Sequence, residues 1–205
     1  MARGLRAVLA AVAVALAGCT TTTTAPPAPS SLPSPATATA SPSDAVLQQV
    51  HDPGQLTGTL TGPCHYGGGG QLPDPRCTPG AYDPQITAAI LCAPGYTTRG
   101  YRPPEAQTSA FKFHVAYPAY GVAAVPGAPS ELDHLVSLEL GGSNSASNLW
   151  VEMGPIPNPK DAVENALHAW VCAATGSGAE TRLHEAQAAI AADWLTAEKT
   201  LGIGS

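Results

Sequence analysis

Basic residues are scarce in this chain of 205 residues, which has nine Lys and Arg against fifteen Asp and Glu. Arg3 and Arg6 lie in an N-terminal export signal, so the rest of the chain carries a net charge of −8 with histidine neutral. Proteins that bind nucleic acid tightly usually depend on many Lys and Arg at the phosphates. The composition therefore argues against strong, non-specific binding to a polyanion.

Further absences narrow the classes of protein. No Cys-x-x-Cys pair occurs, which disfavours a four-thiolate zinc site. A cell-wall hydrolase would suit an exported chain, but we find no zinc-peptidase motif and no pair of carboxylates in a clear acid/base arrangement. The apolar run from Ala7 to Ala17 is too short to span a bilayer as a mature helix.

The N-terminus instead has the pattern of a lipoprotein signal over residues 1–18. A short basic head and an apolar run end in Leu16-Ala17-Gly18-Cys19, which looks like a lipobox, so we expect Cys19 to be acylated. The alternative is an ordinary secretory signal with a chance cysteine. We therefore expect an extracytoplasmic protein anchored to the cell membrane.

The next segment, residues 19–50, is rich in Thr, Ala, Pro and Ser and has too little apolar bulk to fold. We interpret it as a disordered, flexible tether. Residues 51–205 are then enough for one domain with its own core.

Four cysteines remain after Cys19, and an even number in an exported chain predicts two disulfides. Three pairings are possible. Our expectation is Cys64 with Cys77 and Cys92 with Cys172, the second joining an early segment to a late helix.

The residue pattern predicts a mixed α+β domain. A short strand is expected near Leu56–Leu60 and a short helix from Asp83-Pro84 to Cys92. The segment from Tyr96 to Lys112 carries three of the seven basic residues that follow the signal, Arg99, Arg102 and Lys112. These residues either contact phosphate or lie in a solvated loop.

The second half has a stronger order of elements. A strand is predicted over Leu132–Leu140 and another from Asn148, followed by a helix that opens with Asn158-Pro159 and ends at Gly176 or Gly178. A last helix is expected from Thr181 to Ala197.

Within this order, Asp133 and His134 are adjacent, Gly141-Gly142 follows, and Asn148-Leu149-Trp150 comes six residues later. A carboxylate beside an imidazole can hold a divalent cation and deprotonate a water molecule within a few ångströms. Such a pair provides the two functions that phosphodiester hydrolysis requires, a Lewis acid at the phosphate oxygens and a base that activates water.

The residues from Glu131 to Gly142, then Asn148-Leu149-Trp150, then Lys160-Asp161 with Glu164 resemble HNH-type endonucleases of the ββα-metal fold. They are most similar to small exported actinobacterial proteins with that module. The wider resemblance extends from Cys77 to Trp194, with its core motif at residues 131–172. It implies a disulfide-stapled ββα core with extra helices and loops.

The resemblance also implies roles for single residues. Asp133 matches the first metal ligand and His134 the general base. Asn148 matches the central Asn that orients and tightens the turn between the strands, and we count it with His134 among the catalytic candidates, since a polar side chain a short loop later can fix the orientation of the imidazole. The implied cofactor is a divalent ion, Mg²⁺ or Mn²⁺.

The helix departs from the common pattern. Where many relatives have His or Asn as the second ligand, this chain offers Glu164 or His168. Lys160, with Arg99 and Arg102, is a candidate phosphate contact, although Lys160 and Glu164 could equally form an i,i+4 surface pair.

The resulting expectation is a metal-dependent endonuclease acting on nucleic acid, most simply DNA, outside the cell membrane, with no protein partner predicted. The alternative is a non-catalytic binding or scaffolding lipoprotein that retains the module. The acidic charge and the unclear second ligand favour that alternative.

Overall fold

A computed structural model describes residues 47–123 and 129–204, so the predicted signal, Cys19 and the tether up to residue 46 lie outside the described part. The described chain is mixed α+β. Its strands are β1 (Gln48–Gln49), β2 (Ala81–Tyr82), β3 (Ser130–His134) and β4 (Leu149–Met153). Its α-helices are α1 (Ala88–Leu91), α2 (Glu105–Phe111), α3 (Tyr117–Ala119), α4 (Pro159–Cys172), α5 (Ser177–Asp193) and α6 (Ala197–Thr200). Among these residues, no helix combines the length and apolarity that crossing a membrane requires.

Strands β3 and β4 form an antiparallel pair in which Glu131 lies opposite Glu152 and His134 opposite Leu149. Leu149, Trp150 and Val151 are all buried, so β4 is covered on both faces. The predicted strand to Leu140 is wrong beyond His134. The side chain of Asn148 accepts a hydrogen bond from the Val136 amide and donates one to the Val136 carbonyl, so these groups are not available to a neighbouring strand. A 3₁₀ turn then forms at Leu138–Leu140.

Helix α4 begins where the sequence predicts, because the Asn158 side chain accepts hydrogen bonds from the Lys160 and Asp161 amides. It ends at Cys172 rather than Gly176 or Gly178. Gly176, with φ of 57°, instead precedes α5. Helix α5 consequently begins and ends four residues before the predicted bounds, and its inward residues pack against Leu167 and Val171 of α4.

Two predictions in the first half are wrong. Within residues 56–60 only Thr57 forms a bridge, with Ser145, and there is no strand. Asp83 accepts a hydrogen bond from the Gln85 amide and shapes a turn, so the helix starts later, at Ala88. Strand β1 pairs with β2, so the described fold includes the last residues that the sequence assigns to the tether.

The segment from Glu105 to Ala119 is helical, which the sequence analysis does not predict. Helix α2 continues through a π-helical turn at Lys112–Ala116 into α3. Phe111 and Tyr117 from this segment pack in one core cluster with Trp150 and Val151. Lys112 Nζ donates to the Ser130 carbonyl at 2.6 Å, which ties the segment to β3.

The two disulfides pair as predicted. Cys64 is bonded to Cys77 within the loops that precede β2. Cys92 at the end of α1 is bonded to Cys172 at the end of α4, across a sequence separation of 80 residues. The second bond therefore links the two halves of the domain.

A buried carboxylate organises the loop closed by the Cys64–Cys77 disulfide. Asp74 is 3% exposed and accepts hydrogen bonds from the His65 amide, the Arg76 amide and the Arg76 guanidinium. The Arg76 hydrogen bond, together with these amides, holds the pKa of Asp74 well below its usual range despite burial.

We predict that Asp74→Asn lowers the free energy of unfolding at pH 7 by about 2 kcal/mol, because an amide is a weaker acceptor than the buried carboxylate for the donors of His65 and Arg76. The carboxylate has a lower pKa in the folded state, so its contribution is present above the unfolded pKa of about 3.9 and is lost as the pH falls through the folded pKa.

Denaturant titrations at several pH values measure the effect, with the exposed Glu185→Gln as the control. The difference between wild type and Asp74→Asn should shrink below about pH 3. A difference that is constant with pH would contradict the assignment.

Candidate functional site

Asp133 and His134 are the last residues of β3 and both line one cleft of about 370 Å³ between the hairpin and α4. Because side chains alternate along a strand, the two residues belong to opposite faces of the hairpin. Asp133 shares its face with Trp150, whose Nε1 donates to Asp133 Oδ2 at 3.2 Å. The cleft lies at the strand end, where side chains of both faces reach it.

The imidazole of His134 is held in one tautomer by Asn144. Asn144 Nδ2 donates to the carbonyls of Asp52 and Tyr101, which fixes Oδ1 as the acceptor on that side chain. His134 Nε2 lies 2.9 Å from this Oδ1 and must therefore carry the proton. Within the described residues Nδ1 has no hydrogen-bond partner, so it is the nitrogen free to accept a proton.

Burial also keeps this imidazole neutral. His134 is 8% exposed, and its pKa falls to about 4 because burial penalises the charged form more than Asn144 and Asp133 favour it. The positive charges of Arg102 and Lys160 act in the same direction as burial. At neutral pH the residue is an unprotonated base.

Asn148 makes no hydrogen bond with the His134 imidazole among the described residues. Its side chain accepts from the Ala81 and Val136 amides and donates to the Val136 and Ser143 carbonyls. These four bonds close the loop that follows His134. The turn-tightening part that the resemblance assigns to Asn148 fits this position, whereas Asn144 orients the ring.

Lys160 is fully buried between the hairpin and α4. Its ammonium donates to the His134 carbonyl at 2.7 Å, contacts Asp133 Oδ2 at 2.9 Å and pairs with Glu164. Burial opposes the charge, but Asp133 and Glu164 outweigh it and raise the pKa of Lys160. Lys160 and Glu164 therefore form a buried i,i+4 pair, and no ammonium hydrogen remains for a phosphate.

The same region holds more carboxyl groups than cations. Glu131, Asp133 and Glu152 can bring one oxygen each within 4.8 Å of one another, and this group of three could hold a metal ion. Burial and the Asp133 charge raise the pKa of Glu131 and of Glu152. Burial also raises the pKa of Glu164, against the effect of Lys160. Removing charge from the cluster, or adding a cation, is thus favourable.

Arg102 is a basic residue that lines two adjoining clefts. It lines the 370 Å³ cleft and also an adjoining cleft of about 340 Å³ beside α2. His134 and Leu132 line both clefts as well, so the imidazole lies where the two meet. The second cleft adds Lys112, Thr108 and Ser109, which are hydrogen-bond donors.

The remaining sequence candidates lie elsewhere. His168 Nδ1 donates to the Glu139 carbonyl, and Nε2 lies 3.7 Å from the Cys172 sulfur, so both nitrogens face structural neighbours. Arg99 is exposed on a 3₁₀ turn and lines neither of these two clefts. Neither residue contributes to the cluster around Asp133.

The sequence predicts no role for Asn144, Glu131 or Glu152. The alternation of side chains along a strand does indicate that Glu131 and Asp133 share one face of β3. The place of Glu152 depends on the register between β3 and β4, and that of Asn144 depends on the carbonyls of Asp52 and Tyr101, so no local sequence pattern indicates either residue.

Comparisons of this chain with protein-family models, with curated proteins and with solved structures find no match.

We predict that Asn148→Ala destabilises the fold by about 3 kcal/mol, because it leaves buried amides and carbonyls of the loop without partners. For a chain of this size the melting temperature should fall by about 6 to 12 °C. The exposed Asn165→Ala is the matched control and should change it little.

Thermal unfolding followed by circular dichroism is the measurement. If both variants melt with wild type, the four hydrogen bonds of Asn148 do not hold the loop.

Proposed function

We propose that this chain is a metal-dependent endonuclease of the HNH type, which hydrolyses phosphodiester bonds in nucleic acid, most simply DNA. The observation that carries the proposal is the His134 imidazole: neutral, with its proton fixed on Nε2 by Asn144, on a cleft that Asp133 and Arg102 also line. The order of two antiparallel strands and a helix supports it.

In this mechanism His134 Nδ1 accepts a proton from water, whose oxygen attacks phosphorus as the bond to the leaving 3′ oxygen breaks. The leaving oxygen takes up a proton from solvent. Asn144 maintains the required tautomer, and Asn148 shapes the loop on which the imidazole is carried. Arg102 has the chemistry and the position to pair with a non-bridging phosphate oxygen.

The fold type implies a divalent metal ion, and the residues present fit one: hard carboxylate oxygens surround Asp133, and Glu152 Oε2 is buried without a hydrogen-bond partner among the described residues. Asp133 with Glu131 and Glu152 would hold it. When bound, the ion would supply Lewis-acid stabilisation of charge on the phosphate and the leaving oxygen.

We further propose that the enzyme acts at the outer face of the cell membrane, held there by an acyl chain on Cys19 and the Thr/Ala/Pro/Ser-rich tether. The sequence pattern of residues 1–50 is the support for this location. A tethered enzyme meets substrate at a surface, so weak affinity for free nucleic acid is compatible with function.

A second function has a specific observation in its favour. The Lys160 ammonium fills the gap between Asp133 and Glu164, where strand and helix approach each other, and most of the cleft lining is acidic or neutral. A non-catalytic lipoprotein that binds cations or a cationic partner would have the same features. Ion binding without any cleavage would identify it.

We predict that the purified protein nicks supercoiled plasmid DNA in the presence of Mg²⁺ or Mn²⁺ and that His134→Gln lowers the rate at least about 100-fold, since the general base is lost. Rates are read from the conversion of supercoiled to open-circle plasmid on gels.

His114→Gln is the matched control, because His114 is exposed on the π-helical turn and lines a different surface. It should cleave like wild type, and circular dichroism should show that both variants fold. Intact plasmid with wild type across a panel of divalent ions, or full activity in His134→Gln, would refute the proposal.

A further inference from the structure

Glu152 Oε2 has no hydrogen-bond donor among the described residues, and Glu152 is 5% exposed. The side chain that it contacts is Asp133, a second carboxyl group. A buried carboxyl oxygen without a donor loses the solvation that it has in water. A proton or a cation between the two carboxyl groups is expected to satisfy it.

The strand register brings two more carboxylates to this oxygen. Glu131 lies directly opposite Glu152, and Asp133 is two residues further along β3 on the same face. One oxygen from each of the three can lie within 4.8 Å of the others. Like charges directly opposite each other destabilise a strand pair, so the arrangement needs either a shared proton or a compensating positive charge.

Lys160 makes no direct hydrogen bond or ion pair with Glu152 or Glu131, although its charge acts favourably on both from a distance. Its ammonium has three hydrogens, and it has three close partners: the His134 carbonyl, Asp133 and Glu164. One oxygen of Glu131 is occupied by the Asn158 amide, which leaves the other available. The three carboxylates therefore have one close cation, the Lys160 ammonium, which Asp133 shares with Glu164. They have free oxygens for a second cation.

We propose that Glu131, Asp133 and Glu152 form a divalent-cation site built from the hairpin alone, and that the Lys160 ammonium occupies the place of a helix ligand. Glu164 and His168 are then not ligands, because Glu164 pairs with Lys160 and His168 faces Glu139 and Cys172. Binding rests on these carboxylates, and only the use of the ion in hydrolysis rests on the proposed nuclease.

The donor set selects the class of ion. All three ligands are carboxylates, with no thiolate or imidazole, which suits hard cations such as Mg²⁺, Mn²⁺ and Ca²⁺ rather than Zn²⁺. Asp133 would be shared between the ion and Lys160, so the ion is held beside the His134 segment of the chain.

Isothermal titration calorimetry of the purified protein with MgCl₂ and MnCl₂, and electron paramagnetic resonance with Mn²⁺, test the site without reference to catalysis. We expect one site in wild type and affinity at least about tenfold weaker in Glu152→Gln and in Glu131→Gln. Glutamine preserves the shape of each side chain, and thermal melts without ion verify that the variants fold.

Glu139→Gln is the matched control, because Glu139 lines the cleft but lies outside the three-carboxylate group. It should bind as wild type does, and so should His168→Gln. Unchanged affinity in both Glu152→Gln and Glu131→Gln, or no binding by wild type, would overturn the site. Affinity lost in His168→Gln but kept in Glu152→Gln would overturn it in favour of a helix ligand.

The outcome is distinguishable from that of the proposed function. Plasmid cleavage without ion binding at these carboxylates would refute the site and leave the nuclease standing. Ion binding without cleavage would do the reverse.

Discussion

The Lys160 ammonium is the contact on which the site geometry depends. It joins the end of β3, through Asp133 and the His134 carbonyl, to α4, through Glu164. A buried ammonium is stable only when close acceptors replace its water, and removing one partner of such a pair costs about 3 to 5 kcal/mol. One of these partners, Asp133, is a candidate metal ligand, and another is the backbone of the candidate base His134. The approach of α4 to the end of β3 is consequently tied to one buried charge.

This buried charge also changes what the helix can contribute to chemistry. In a strand–strand–helix arrangement, a ligand from the helix would normally approach the carboxylate at the strand end. The Lys160 ammonium lies in that position, so the positive charge beside Asp133 on the helix side comes from the protein itself. Glu152 Oε2, which has no hydrogen-bond donor among the described residues, lies on the same face of the hairpin as Asp133. The remaining capacity for a cation is therefore on the hairpin.

The acidic composition is compatible with phosphate chemistry if binding is local. At physiological ionic strength the Debye length is about 8 Å, so exposed charges farther from the cleft are largely screened. Arg102 and an ion on the carboxylates would then dominate the field at a bound phosphate. Such an enzyme would bind nucleic acid weakly and through few contacts, which is consistent with the scarcity of Lys and Arg.

Local sequence signals predicted a large part of the fold. The Asn158-Pro159 cap marked the start of α4, and both disulfides pair as expected. The helical segment after Glu105 was not predicted, because its π-helical turn at Lys112–Ala116 shifts the spacing of its buried residues away from a 3.6-residue period. The strand predicted beyond His134 failed because the side chain of Asn148 competes for backbone groups, which no periodicity reveals.

The part of the candidate site that consists of neighbouring residues could be predicted from the sequence, and the part that depends on tertiary contacts could not. Adjacent residues such as Asp133 and His134 are visible as a motif. Asn144 orients the imidazole only because the carbonyls of Asp52 and Tyr101 lie against it, and both are distant in sequence. Side chains that act through tertiary contacts of this kind have no local pattern.

The proposed chemistry depends on His134 being a neutral base with its proton on Nε2 and its lone pair on Nδ1. Nitrogen-15 NMR of the histidine-labelled protein, with the His134 resonances assigned by means of His134→Gln, measures both properties. We expect a neutral Nε2–H imidazole that does not titrate between about pH 5 and 8, because burial lowers its pKa to about 4. A resonance that titrates near the ordinary histidine value, or that shows the proton on Nδ1, would contradict it.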